Sequence, residues 1–167
     1  CAFHIIQGQY DDAKPLYKRA LEIREKKLGN EHPDVAICLN NLARLLQSQG
    51  DFDGAKSLYE RALDIRKTKL GADHPDVAKS QNNLAELLRE MGDYDRSAKL
   101  LKEAIDIYKK AQRPDHGNIA TFQNNLAGVL NAKGQRDEAK KLYEEAIDIR
   151  ERVQGRDHPD VAIDLTN

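Results

Sequence analysis

Tryptophan is absent, methionine occurs once, and aromatic side chains make up only 5% of the 167 residues. A core built from so few large rings must be filled by aliphatic side chains and alanine. Cysteine is equally scarce. Cys1 stands at the chain start and Cys38 in an apolar helical position. Two such residues are no disulfide framework; free thiols point to a reducing compartment, and a cytoplasmic location is expected. Charge of one sign is also missing: 27 Lys and Arg face 28 Asp and Glu, a formal net charge of -1. That balance excludes the broad basic field of a nucleic-acid binder and the polybasic anchor of a membrane-surface protein. Apolar runs are only a few residues long, too short to span a bilayer. The start lacks the charged-then-apolar order of a secretory signal.

What is present is repetition. His32-Pro33-Asp34-Val35-Ala36 returns at His74 to Ala78 and again at His158 to Ala162, and in degraded form at His116-Gly117-Asn118-Ile119-Ala120. The step is 42 residues, or two such steps where the degraded copy intervenes. Asn40-Asn41-Leu42-Ala43 recurs at Asn82 to Ala85 and Asn124 to Ala127. Gly8, Gly50, Gly92 and Gly134 keep the step, as do Ala20, Ala62, Ala104 and Ala146. Residues 32–73 and 74–115 are identical at 20 of 42 positions without a gap. A fixed period of this length is the mark of a repeat architecture. The register gives a partial repeat at 1–31, full repeats at 32–73, 74–115 and 116–157, and a partial one at 158–167. The chain is thus expected to be a fragment that starts and stops inside first helices.

Each period reads as two helices. Val35, Leu39, Leu42, Leu45 and Leu46 recur at helical spacing in the first. Pro33 suits the first turn, where its missing N–H costs nothing, and Asp34 complements the positive end of the helix dipole. Gly50 ends the helix, and Asp51 or Asp53 caps the second. The apolar stripe of that second helix is Ala55, Leu58, Tyr59, Ala62, Leu63 and Ile65, and Gly71 ends it. Ala43, Ala55 and Ala62 allow helices to approach closely. One hairpin cannot bury its own stripe, so neighbours must stack. The run Arg66-Lys67-Thr68-Lys69 is expected on a solvated outer face. No strand pattern occurs.

Asn-Asn-Leu-Ala, then Gly, then Asp-Phe/Tyr-Asp, then Ala-x-x-Leu-Tyr-x-x-Ala-Leu-x-Ile resembles the tetratricopeptide repeat. Its 42-residue length, longer second helix and His-Pro-Asp-Val-Ala loop resemble the repeats of kinesin light chain and of related arrays in nephrocystin-like proteins and signalling ATPases. The resemblance covers essentially the whole chain. It implies an all-α fold, a right-handed superhelical solenoid of antiparallel helix hairpins, and a cytoplasmic protein–protein interaction module of adaptor or scaffold type. Departures fall around the third full repeat. Arg113 replaces a loop Gly, Pro114 is displaced, Gly117 stands where Pro33 and Pro75 stand, and Ser97 and Leu101 replace Ala and Tyr. A less regular third interface is expected.

In such a stack the first helices line the inside of the curve. The inward positions left over from the core stripe are Asn40, Asn41, Arg44 and Gln47, with Ile37 and Ser48 beside them. Their repeats are Lys79, Asn82, Asn83, Glu86, Arg89 and Glu90, then Thr121, Asn124, Asn125, Gly128, Asn131 and Ala132. Asn is a poor helix former, so three Asn pairs at one register require a reason. An amide offers both a donor and an acceptor, and a ladder of amides can pair with the backbone of an extended peptide of any sequence. In the families resembled, an Asn at the second of these positions contacts bound peptide. The competing reading is structural: one Asn of each pair bonds across to a neighbouring helix or loop. Arg44, Lys79 and Arg89 favour acidic side chains while Glu86 and Glu90 oppose them, and Gly128 leaves room for a small apolar anchor. The expected partner is a protein carrying a short, partly acidic linear motif.

Other chemistry was sought. His32, His74, His116 and His158 sit on separate layers, farther apart than the roughly 2 Å ligand distances of one zinc ion allow, so no metal is expected; each ring is expected to pack or bond at its helix start. CxxC, HExxH and the phosphate-binding G-x-x-x-x-G-K are all absent. No cofactor and no enzyme activity are expected. The alternative to a peptide binder is a spacer or self-stacking array whose terminal half-repeats dock between chains through Phe3, Ile5, Val161 and Leu165. A sensor arm of a signalling ATPase would need a further domain outside this chain.

Overall fold

In the computed structural model, residues 10–111 and 117–155 are described; the statements below concern these. They form seven helices and, among the described residues, no strand. The helices are α1 (Tyr10–Leu28), α2 (Pro33–Ser48), α3 (Phe52–Leu70), α4 (Pro75–Glu90), α5 (Tyr94–Lys110), α6 (Gly117–Ala132) and α7 (Arg136–Gln154). First helices start at 33, 75 and 117 and second helices at 10, 52, 94 and 136, each set in steps of 42. The sequence period is therefore the period of the helix hairpin. The chain divides into two compact units, with the boundary between Leu87 and Leu88 inside α4.

The stops and starts of the helices follow from a few residues. Pro33 occupies the first turn of α2, and the Nδ1 of His32 accepts the Asp34 N–H at 3.1 Å. His74 does the same for Asp76 at 3.1 Å. His32 and His74 thus bond at their helix starts, each with Nδ1 as the acceptor. At the end of α2, Gly50 takes φ 80°, its N–H reaches the Gln47 carbonyl, and the Asp51 N–H reaches Leu46 O at 2.9 Å. These two bonds make a Schellman stop, and it recurs after α4 and α6, where Asp93 N bonds Leu88 O and Gln135 N bonds Leu130 O. Of the two candidate caps for α3, Asp51 is the one used: its Oδ1 accepts the Gly54 N–H at 3.0 Å. Asp93 caps α5 in the same way, whereas Gln135 gives α7 no side-chain cap.

In the first unit α2 lies between α1 and α3. Val35, Ala36 and Leu39 pack with Ala62 and Ile65, and Leu42 and Leu45 pack with Ala13 and Tyr17. Leu21 and Leu58, partly buried, join both clusters. Leu39 and Leu45 are fully buried, which at about 1.5–3 kcal/mol per such side chain places the main stabilisation along the α2 stripe. Ala36, Ala43 and Ala62 are also fully buried, the small contacts that let the helices close up.

In the second unit α6 plays the part of α2, with Ile119, Phe122, Leu126, Val129 and Leu130 buried. Ser97 and Leu101, the two departures from the repeat, are both within the α5 core face, at 0% and 1% exposure. The irregularity instead shows at the end of α5, which stops at Lys110, two residues short of the register at which α1, α3 and α7 end. Gly29, Gly71 and Gly155 end those helices at φ 86–89°. The corresponding residue after α5 is Arg113, which with Pro114 and His116 lies outside the described residues, as do Cys1, Phe3, Ile5, Gly8, His158, Val161 and Leu165.

One expectation is corrected. Lys67, Thr68 and Lys69 are exposed, but Arg66 is not a solvated charge: its Nη1 donates to the Asp76 carbonyl at 3.1 Å and to Ser80 Oγ at 2.7 Å. Burial lowers its proton affinity and the nearby Asp76 carboxylate raises it. A guanidinium can span two acceptors on the next helix, which an ammonium at the same place does less well.

Candidate functional site

The stripe of α2 not covered by α1 and α3 carries Ile37, Asn41, Arg44 and Gln47. Ile37 is 44% exposed, Arg44 is exposed, and Asn41 and Gln47 are half-buried. On α4 the same register presents exposed Lys79 and half-buried Asn83 and Glu86.

The two Asn of each pair separate sharply here, because neighbours on a helix point about 100° apart. Asn40 and Asn82 are 6% and 7% exposed, so their side chains face the packed interior. Asn40 Nδ2 donates to the Ala36 carbonyl of its own helix at 2.9 Å, while its Oδ1 accepts from Asn83 Nδ2 at 3.3 Å. Asn82 Nδ2 donates to Glu86 Oε1 at 3.2 Å. The first Asn of these pairs therefore has a structural use: Asn40 back-bonds to its own helix and positions Asn83, and Asn82 pairs with a side chain one turn further on. Gln47 is held too, accepting from the Tyr59 hydroxyl at 3.1 Å. Lys79 donates to Asp76 Oδ1 at 3.0 Å. The Asp76 carboxyl lies below the usual carboxylate range; burial opposes this, but the Lys79 bond and the charges of Lys79 and Arg66 outweigh burial.

In the second unit the register continues with exposed Arg89 on α4 and, on α6, half-buried Thr121, Asn124 and Asn125, half-buried Gly128 and exposed Asn131. Here both Asn of the pair are partly accessible. Thr121 Oγ1 donates to Gly117 O and accepts from Arg150 Nη2 at 3.3 Å. A Cβ at Gly128 would stand 3.7 Å from the Tyr143 hydroxyl, an ordinary contact. The small residue thus opens onto a phenol rather than an apolar wall. Partial burial raises the Tyr143 phenol and Arg89 works against that rise, so the hydroxyl is a neutral donor.

Three contributors were missed from sequence: the Tyr59 and Tyr143 hydroxyls and Arg150. The tyrosines keep the 42-residue step, as Tyr17, Tyr59 and Tyr143, and that regularity was legible. Where each hydroxyl points was not. Among the described residues no group of three or more His, Cys, Asp or Glu is arranged to hold a metal ion, and no helix is long and apolar enough to cross a membrane.

Hairpins of fixed period, Schellman stops, small-residue contacts and an uncovered amide register define an all-α helical repeat protein of the class that presents surfaces to other proteins. The chain belongs to the tetratricopeptide repeat family: one model of that description matches residues 1–68 and 46–110, and a second matches 119–160. Among solved structures it is similar to BtubC (BKLC) from P. vanneervenii, at 26% identity and TM-score 0.85 over 98% of this chain. It spans 65% of the BtubC chain. It is also similar to a kinesin light chain-type protein of Podospora anserina with nearly identical TPR-like repeats, at 28% identity and TM-score 0.82, covering 98% of this chain and 77% of that one. The apo form of RapI, 18% identical with TM-score 0.77 over 89% of this chain and 52% of its own, shares the fold. The repeats are thus of the kinesin light chain-like type, and repeats of this family mediate contacts between proteins.

Proposed function

We propose that this chain is a protein-binding module that holds an extended segment of a partner, with the second Asn of each pair as the recurring contact. The observation that carries the reading is the placement of Asn41, Asn83 and Asn125: one register, 42 residues apart, each half-exposed on a first helix. Each amide offers a donor and an acceptor to a peptide backbone. Arg44 and Arg89 are exposed cations near this register and Ile37 an exposed aliphatic side chain, which supports a partly acidic motif with an apolar anchor. An adaptor role like that of kinesin light chain, in a longer protein, is the setting the similarity favours.

The test is a peptide-display screen against the purified chain, run beside Asn41→Ala, Asn83→Ala, Asn125→Ala. Enriched peptides sharing a motif should lose at least about tenfold in affinity for the triple variant, the loss of one to two modest hydrogen bonds. A Lys79→Glu, Arg89→Glu variant should lose the acidic ones first. Enrichment that survives the triple variant unchanged places recognition elsewhere on the molecule. No enrichment with either protein, accompanied by a concentration-dependent mass, supports the self-stacking array instead.

A further inference from the structure

One phenol on the uncovered face lacks the bond that its repeat position makes elsewhere. Tyr59 and Tyr143 hold the same register, two repeats apart. Tyr59 is 1% exposed, and its hydroxyl donates to Gln47 Oε1 at 3.1 Å. In the second unit the Gln47 position is Asn131, one methylene shorter and exposed. Tyr143 is half-buried, and among the described residues nothing bonds its hydroxyl. That oxygen is open to solvent: the sealed side-chain atoms left without a partner among the described residues are the carbonyl oxygens of Gln81 and Gln123.

Two further features stand beside this hydroxyl. The position of Arg44 and Glu86 is Gly128 on α6, and a Cβ there would lie 3.7 Å from the Tyr143 oxygen. No side chain at that position covers the phenol. Arg89, on the part of α4 that belongs to the second unit, is near enough for its charge to act on Tyr143. Its guanidinium is exposed and, among the described residues, has no carboxylate partner. Glu144, next to the tyrosine in sequence, faces Lys140 at 3.9 Å. A neutral O–H donor and a permanent cation thus border a position that carries no side chain.

We infer that Arg89, Tyr143 and Gly128 form a subsite for the carboxylate of one acidic side chain, aspartate or glutamate, on the partner. The inference rests on the proposed reading of this face as a protein-binding surface, and it names what selects acidic residues there. A carboxylate has two oxygens and can accept from both donors at once. Both bonds are charge-assisted, and stronger than bonds between neutral groups. An amide side chain of the same shape offers one oxygen and no charge, and a basic side chain is repelled by Arg89. In the first unit the corresponding phenol is occupied by Gln47, so this selectivity belongs to the second unit.

The test uses the intact chain and two probes of equal shape, N-acetyl-glutamate amide and N-acetyl-glutamine amide. Both are titrated while the Tyr143 ring signals and the α6 backbone amides are followed. The glutamate probe should move them in a saturable way, and the glutamine probe should not. Tyr143→Phe removes an oxygen that bonds nothing among the described residues, so its melting temperature should match that of the native chain. It keeps every charge, yet should weaken the glutamate probe about tenfold, the loss of one hydrogen bond to a charged group. Gly128→Glu, which installs the residue type of Glu86, fills the open position and should block the probe. The probes do not span the amide register, so Asn41→Ala, Asn83→Ala should leave this titration unchanged. Failure of the amide register would therefore appear in the peptide screen and not here. The inference is overturned if the glutamate probe moves nothing or if both probes act alike. It is equally overturned if Tyr143→Phe binds as the native chain does, the result for a cation acting alone on an exposed surface.

Discussion

The junction from α3 to α4 in the first unit and the junction from α5 to α6 in the second occupy the same register and use opposite chemistry. In the first, Arg66 reaches forward and donates to Asp76 O and Ser80 Oγ. In the second, Tyr108 stands at the Arg66 position, Phe122 at that of Ser80 and Asn118 at that of Asp76. Asn118 Nδ2 now donates back to the Tyr108 hydroxyl at 2.7 Å, and the two rings meet edge to face with centroids 5.5 Å apart at 75°. Arg24, with Cys38 in the Ser80 position, keeps the forward bond, to Asp34 O at 3.0 Å. A cation needs an acceptor across the joint, and a ring needs another ring. The pair is therefore the unit that varies, and the repeat tolerates either kind when both members change.

The sharpest way to break this contrast is to move the arginine. Tyr108 is 1% exposed, so Tyr108→Arg sets a guanidinium against Phe122 where Arg66 meets the Ser80 hydroxyl, and loses the Asn118 bond and the ring contact; it should cost on the order of 3–5 kcal/mol in urea unfolding. Adding Phe122→Ser should return part of that loss, with a coupling energy of about 0.5–3 kcal/mol in the double-mutant cycle. Strict additivity would mean that the two positions do not act as a pair. The reverse change is milder. Arg66→Met keeps the aliphatic stem but leaves the Ser80 hydroxyl and Asp76 carbonyl without their donor, and a loss of about 1.5–3 kcal/mol is expected from the same measurement.

The smallest effect is in pH. The folded-state Asp76 carboxyl is held below its usual range, so its contribution is complete above the unfolded value of about 3.9. It is lost as pH falls through the lower folded value. Its side chain is 40% exposed, so the contribution is that of a solvent-screened pair, at most about 1 kcal/mol. Asp76→Asn installs the residue type of the second junction, which does not titrate. The urea midpoints of the native chain and this variant should differ at pH 6 and converge as pH falls below the usual carboxylate range. A difference that stays constant with pH would tie the effect to something other than the Asp76 charge.

The hairpin architecture was legible in the residues themselves. Pro33, Asp51, Gly50 and Gly71 act within one helical turn of where they stand, and the Leu and Ala stripes depend only on the helical period. Those are local rules, and 42-residue copying repeats them. The Asn pairs were legible as a feature but not in their division of labour. Asn40 and Asn41 differ by one step around the helix, and which of them is covered depends on where α1 and α3 lie against α2.

Sequence alone thus determined the period, the helix ends, the apolar stripes and the family, because each rests on short-range geometry repeated along the chain. Tertiary structure decided the rest. Arg66 sits at the head of a basic run that looks solvated, yet its guanidinium is drawn onto the next helix because two acceptors lie within reach there. Asn40 is enclosed while Asn41, one residue on, is half-exposed. Gln123 bonds Glu145 on the next helix where Leu39 fills a core. Each of these outcomes is set by which groups a neighbouring helix brings within about 3 Å, a distance that packing creates and that no local pattern encodes.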